Sequence, residues 1–290
     1  MRNRFIGAIL AAALMPAAWA QAGAAKQATP AKQTAKVIQP ATIMGHPNFN
    51  GIWFAQGTAL WNLEAHSAED MGDRFFRLGA MAAIPAGKSY LKGGGTIPYT
   101  PAGLAKRNEN KKNAPEYDPE AKCYMLGVPR VTYSGMPFQI IQGTGGSGNL
   151  AGDMIMVYPF DATNRVINMK DHSEAPIDSW MGKSDGTWQG NTLVVETKFQ
   201  YDKTWLDRSG NHHSADMKVT ERFNLIDKDH MHYEATIDDP KTFTRPWTIE
   251  MPLYRMIDEN AQILEHKCVP FADKLLYHDL IHPGEPKIGQ

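Results

Sequence analysis

Residues 217–237 read Met217-Lys-Val-Thr-Glu-Arg-Phe-Asn-Leu-Ile-Asp-Lys-Asp-His-Met-His-Tyr-Glu-Ala-Thr-Ile237. In an extended chain, Met217, Val219, Glu221, Phe223 and Leu225 share one face. Beyond the polar break Asp227-Lys228-Asp229 the alternation resumes, with Met231, Tyr233, Ala235 and Ile237 opposite His230, His232, Glu234 and Thr236. Two period-two runs joined by so short a break must pair antiparallel, because a parallel pair needs a long crossover.

Similar runs flank this hairpin. Phe138–Gln142, Asp153–Phe160, Arg165–Met169, Thr192–Phe199, Thr244–Arg255 and Gln262–Val269 are rich in β-branched and aromatic residues and broken by short turns. They predict a mainly β fold over residues 138–270, an antiparallel up-and-down barrel of the lipocalin or calycin kind. Closure removes exposed edges, and a β-sandwich is the competing arrangement. Residues 41–137 read as an irregular, partly helical extension packed on the barrel. Asn50–Phe54 can open a strand there, and Thr100-Pro101 can cap a helix running to Lys111. Residues 271–290 read as a C-terminal tail.

The N-terminus has the layout of a secretory signal. Arg2 and Arg4 precede an apolar run from Phe5 to Met15, and Ala18-Trp19-Ala20 is a small-x-small cleavage site. Residues 21–40, dominated by Ala, Gln, Lys and Pro, read as a disordered leader. The expected location is periplasmic or secreted, with no membrane span in the mature chain. The whole chain carries a formal charge of −1, and without these segments the body is mildly acidic, which argues against a nucleic-acid partner. Only two cysteines occur, Cys123 and Cys268. In an oxidising compartment they are expected to form a disulfide clamping the extension onto the last strand.

Two motif matches lack the context their chemistry requires. Gly143-Thr-Gly-Gly-Ser-Gly148 fits a dinucleotide fingerprint, but a strand follows it instead of a helix. Gly182-Lys-Ser-Asp-Gly186 fits a serine-hydrolase elbow without the flanking strand and helix, so Ser184 reads as part of a polar turn. His230 and His232 fall on the solvent face. Glu221, Arg245 and His266, by contrast, alternate with apolar neighbours and should look inward. They form either a structural Glu221–Arg245 ion pair with a core histidine, or a polar patch inside a ligand cavity.

The stretch Ser179-Trp-Met-Gly-Lys-Ser-Asp-Gly-Thr-Trp-Gln-Gly-Asn-Thr-Leu-Val-Val-Glu-Thr197 resembles a family of exported bacterial proteins of unassigned activity. So do Thr204-Trp-Leu-Asp207, Val219-Thr-Glu-Arg-Phe223 and Thr236-Ile-Asp-Asp-Pro240 with Phe243-Thr-Arg-Pro-Trp247. Members of that family look lipocalin-like in their C-terminal half. The resemblance implies that His172, His213, Glu221, Arg222, Asp238, Asp239, Arg245 and Trp247 belong to the shared pattern, and it supplies no reaction.

Two functions follow from these readings. The first is a barrel whose cavity binds a small amphipathic or aromatic molecule, with Trp180, Trp188, Trp205, Arg222, Asp239 and Trp247 as contacts. The second is an acid–base lyase, isomerase or hydrolase without an organic cofactor. In it His172 or His213 acts as base or acid, Glu221 as partner carboxylate and Arg245 as stabiliser of negative charge. A single metal ion held by His172, His213 and Glu221 or Asp239 is a minor variant. A scaffold protein with an exposed apolar patch is the third class. Oligomeric state is left open.

Overall fold

A computed structural model describes residues 41–143, 152–282 and 284. The signal and leader segments, and the Gly-rich loop beyond Gly143, lie outside these residues. The fold is mainly β, built on a closed barrel of nine strands. In chain order they are β1 (Gly51–Phe54), β2 (Phe138–Gln142), β3 (Met154–Val157), β4 (Asn164–Asn168) and β5 (Lys183–Gln189). They continue with β6 (Thr192–Lys198), β7 (Lys218–Leu225), β8 (His230–Asp238) and β9 (Trp247–Arg255). Each strand pairs with its neighbour in sequence, and β9 closes on β1 through Tyr254–Phe54 and Arg255–Trp53.

The barrel is mixed, in contrast to the antiparallel meander expected. All pairs are antiparallel except β4–β5, where Ile167 lies beside Ser184 and Asn168 beside Asp185 in parallel register. An odd number of strands cannot alternate direction all the way round a closed ring, so one parallel junction is obligatory. It falls at β4–β5, where the long connection over residues 169–182 supplies the crossover that parallel pairing needs.

β5 is the strand that sequence reading missed. Its polar composition (Lys-Ser-Asp-Gly-Thr-Trp-Gln) looks like a turn, yet the backbone pairs along its whole length with β6, from Lys183–Lys198 to Gln189–Thr192. Gly186 faces the neighbouring strand, where a Cβ would lie 2.5 Å from the Met169 sulfur. Gln262–Val269, expected to be the last strand, is not one. It makes a single bridge, Phe160–His266, and its side chains are largely exposed.

The expected inward face holds in β7–β8. Val219, Glu221 and Phe223 sit opposite Ile237, Ala235 and Tyr233, and all six are fully buried. Leu193, Val195, Ile249 and Leu253 are also at 0% exposure. The interior is filled by side chains, as small barrels generally are.

The 83-residue span between β1 and β2 wraps the outside. Lys92 N donates to Thr248 O and Glu250 N to Tyr90 O, fastening the span to β9. Its helix α1 (Pro101–Lys112) starts at Thr100, whose side chain accepts from Gly103 N, with proline in the first turn. A second helix, α2 (Ala272–Ile281), lies in the region read as a tail, and Ile281 packs with Phe75 and Ala82 of a 3-10 segment, Asp73–Ala82. The Cys123–Cys268 disulfide is formed. It ties the extension to the segment after β9, not to a barrel strand as expected.

Candidate functional site

Inside the barrel, alternation along β4 turns Arg165 and Ile167 inward together. Arg165 is 2% exposed and meets Glu221, at 0%, in a two-pronged ion pair: Nη1 donates to Oε1 at 3.2 Å and Nη2 to Oε2. Arg165 Nε donates to Ser184 Oγ and Nη2 to Thr197 Oγ1, both at 2.8 Å. Tyr233 donates its hydroxyl to Glu221 Oε1 at 2.8 Å. Burial lowers the Arg165 pKa, but the adjacent Glu221 outweighs it and holds the guanidinium above its ordinary value. Five polar side chains thus satisfy one another within an apolar interior, which is the condition for burying a charge.

This corrects two expectations. Glu221 does look inward, but its partner is Arg165, not Arg245. β9 begins only at Trp247, so the strand alternation does not extend back to Arg245, which is exposed and bonds the carbonyl of Pro246. Ser184 is not in a turn. It is 2% exposed on β5 and bonded to Arg165 and Thr197.

The loop over residues 204–214 holds a second polar cluster. His213 is 2% exposed, its Nε2 lies 2.6 Å from Thr204 Oγ1 and its Nδ1 2.8 Å from Ser214 O. The carbonyl can only accept, so Nδ1 carries the proton and Thr204 donates to Nε2. Burial pushes the His213 pKa down, favouring this neutral ring. Asp239 accepts from Ser214 N and Oγ at 2.7 and 2.8 Å. Burial raises its carboxyl, but the donors from Ser214 and Thr242 prevail and hold it below its usual range. Asp207 accepts from Leu63 N, Ser209 N and Asn211, and burial raises it to about 6.

The other sequence candidates are dispersed. His172 is exposed in the β4–β5 connection, with Nε2 near the carbonyls of Asn168 and Gly186. His172, His213, Glu221 and Arg245 have separate partners, and none bonds another among the described residues. Among the described residues, the group whose ligand-capable atoms lie together is a different one, that of His232, Glu234 and Glu250. Arg222 faces outward and donates to Gln189. Trp188 stacks on His46 at 4.4 Å, Trp180 stacks on Tyr124 at 4.7 Å, and Trp247 packs edge-on to Phe243. Trp205 is 7% exposed and floors a small cleft. His266, expected inside, is exposed and stacks on Phe160. His230 and His232 lie on the outer face as read. His232, Glu234 and Glu250 bring ligand-capable atoms within 4.8 Å of one another, although Lys92 already pairs with Glu234.

Among the described residues, two clefts that concern the candidate site lie outside the barrel strands. The larger, about 610 Å3, is bounded by the extension, the 204–214 loop and the segment around Cys268. Trp61, Met71, Met81, Ile84, Met136 and Phe160 form apolar walls. Its charged wall, Asp118, Glu120 and Arg208, belongs to a compact network that also includes Arg130, which does not itself line the cleft. Arg130, 1% exposed, grips Asp118 through two 2.8 Å bonds and reaches Glu120, while Arg208 grips Glu120 through Nε at 2.9 Å and Nη2 at 2.6 Å. Burial alone would raise Glu120, but Arg130 and Arg208 hold its carboxyl down at about 2. The Arg208 guanidinium also lies over the Trp61 ring, 4.5 Å from its centroid.

Sequence reading missed both the barrel arginine and most of this network. Arg165 was findable, because it alternates with Ile167 within a predicted strand. Arg130 opens a short 3-10 turn and Arg208 and Trp61 lie in loops, all without the alternation of a strand, so that rule does not mark them. Comparison with family models, with curated proteins and with solved structures gives no match for this chain. Fold and site together define a closed, mixed β-barrel with a packed, ion-paired interior and an amphipathic cleft on its outer flank.

Proposed function

We propose that the protein binds a small organic molecule with an apolar or aromatic body and an anionic end, and that it does so in the flank cleft instead of the barrel interior. The observation that carries this reading is the pairing of an apolar-walled cleft of about 610 Å3 with Arg208 on one side. That volume lies within the usual range for small-molecule sites, which combine hydrophobic walls with a few placed polar groups. Arg208 uses its Nε–Nη2 edge on Glu120 and carries no hydrogen bond at Nη1 to a described residue. The contact over the Trp61 ring and the two bonds to Glu120 hold the guanidinium at the cleft wall, where Nη1 can donate to an oxyanion. The signal-like N-terminus and the disulfide support action outside the cytoplasm, as in the exported family the sequence resembles.

Anilinonaphthalene sulfonate tests this reading, since it combines aromatic rings with an anion. Binding to the folded protein should enhance its fluorescence. Arg208→Gln and Met81→Asp should each weaken binding about tenfold or more, the first through the anion and the second through the apolar wall. Binding unchanged in both variants, with circular dichroism showing both folded, would remove the cleft from consideration.

A further inference from the structure

We propose that the smaller cleft, about 330 Å3, is a separate binding site for an acidic saccharide. It lies between α1, the Pro119–Lys122 turn and the 204–214 loop, and does not share its lining with the larger cleft. Two features are juxtaposed there. The first is a set of aromatic surfaces: Tyr117 and Tyr124 are 51% and 47% exposed, and Trp205 forms the floor. Tyr124 stacks on Trp180, which in turn meets Tyr201 edge-on, so the ring is packed from behind. The second is positive charge. Lys106, Lys122 and Lys203 line the cleft against one acid, Asp202.

Lys106 is engaged by Glu109. Lys122 and Lys203 are not ion-paired with a described residue, and instead sit over the Tyr117 and Tyr201 rings at 5.8 and 5.7 Å. Two ammonium groups over aromatic rings, neither ion-paired with a described residue and facing the single lining acid Asp202, match a molecule that is both flat-faced and anionic. A uronate ring meets both demands: its C–H face lies on an aromatic ring and its carboxylate meets the lysines. A fully apolar ligand would leave the ammonium groups partly desolvated and unpaired, and a simple inorganic anion would not use the rings.

The test is calorimetric titration of the intact oxidised protein with trigalacturonate, with maltotriose as the neutral control. Trigalacturonate should bind, more weakly as salt rises, and maltotriose should bind at least tenfold more weakly. Lys122→Gln combined with Lys203→Gln should reduce affinity about tenfold, the order expected for two exposed charge contacts. Tyr124→Ala should reduce it severalfold with little change in salt dependence. All three positions are exposed or half-buried, and circular dichroism checks the fold. No detectable trigalacturonate binding, equal binding of maltotriose, or variants that bind like the parent would each overturn the proposal. Equal binding of inorganic sulfate at the same lysines would overturn the saccharide assignment by showing a bare anion site. These results are independent of anilinonaphthalene sulfonate binding in the other cleft.

Discussion

Replacing Glu221 by leucine tests whether the barrel interior is a structural core. The change removes both carboxylate oxygens from Arg165 and the acceptor of the Tyr233 hydroxyl. Arg165 keeps hydroxyl partners, Ser184, Thr197 and Tyr158, but no carboxylate among the described residues, and remains a buried cation without a counter-charge. Removing one partner of a buried ion pair costs about 3–5 kcal/mol. At a urea slope of roughly 2 kcal/mol/M, that lowers the unfolding midpoint on the order of 2 M. Arg165→Met alone should cost a similar amount, because it leaves the Glu221 charge unpaired. The double variant, Arg165→Met with Glu221→Leu, should recover most of the loss, since an apolar pair of similar volume is often neutral or better. Urea unfolding of the four proteins, followed by tryptophan fluorescence, closes the double-mutant cycle. A Glu221→Leu cost below about 1 kcal/mol, or a double-variant cost equal to the sum of the singles, would refute the packed-pair account.

Four further outcomes are expected. His213 is held below its unfolded pKa of about 6.5, so the unfolded chain takes up a proton first and stability falls as pH drops below that value. His213→Asn should flatten this slope in pH-dependent thermal melts, whereas an unchanged slope would contradict it. Asp207, raised to about 6, works in the opposite sense: its contribution is present below the unfolded value near 3.9 and is lost as pH rises through 6. Paired serine substitution of Cys123 and Cys268, 145 residues apart, should lower stability by about 4–5 kcal/mol in the chain-entropy picture. A denaturation difference under about 1 kcal/mol would show that the clamp constrains little. Gly182 has φ +63°, and a Cβ there would lie 2.4 Å from the Lys198 carbonyl. Gly182→Ala should therefore cost on the order of 1–3 kcal/mol in chemical unfolding, and a neutral result would argue against the tight β5–β6 entry.

The β7–β8 hairpin and its buried face were legible in the chain because side-chain alternation and a short polar turn are local properties. The same rule read beyond its domain misplaced Arg245 and His266, since alternation holds only where the chain is extended and paired. β5 escaped because Ser184 and Gly186 carry no hydrophobic signal: one is buried through its bonds to Arg165 and Thr197, the other because the facing strand leaves no room for a side chain.

By itself, then, the sequence determined a mainly β chain, the inward position of Glu221 and a cysteine pair that an oxidising compartment would join. Tertiary structure alone decided the rest. It closed nine strands with one parallel junction, gave Glu221 its partner 56 residues away, and filled the barrel so that its clefts lie outside. Periodicity reports which way a side chain points relative to its neighbours in the chain. Which charge it meets, and whether space remains beside it, depend on long-range packing that no local pattern encodes.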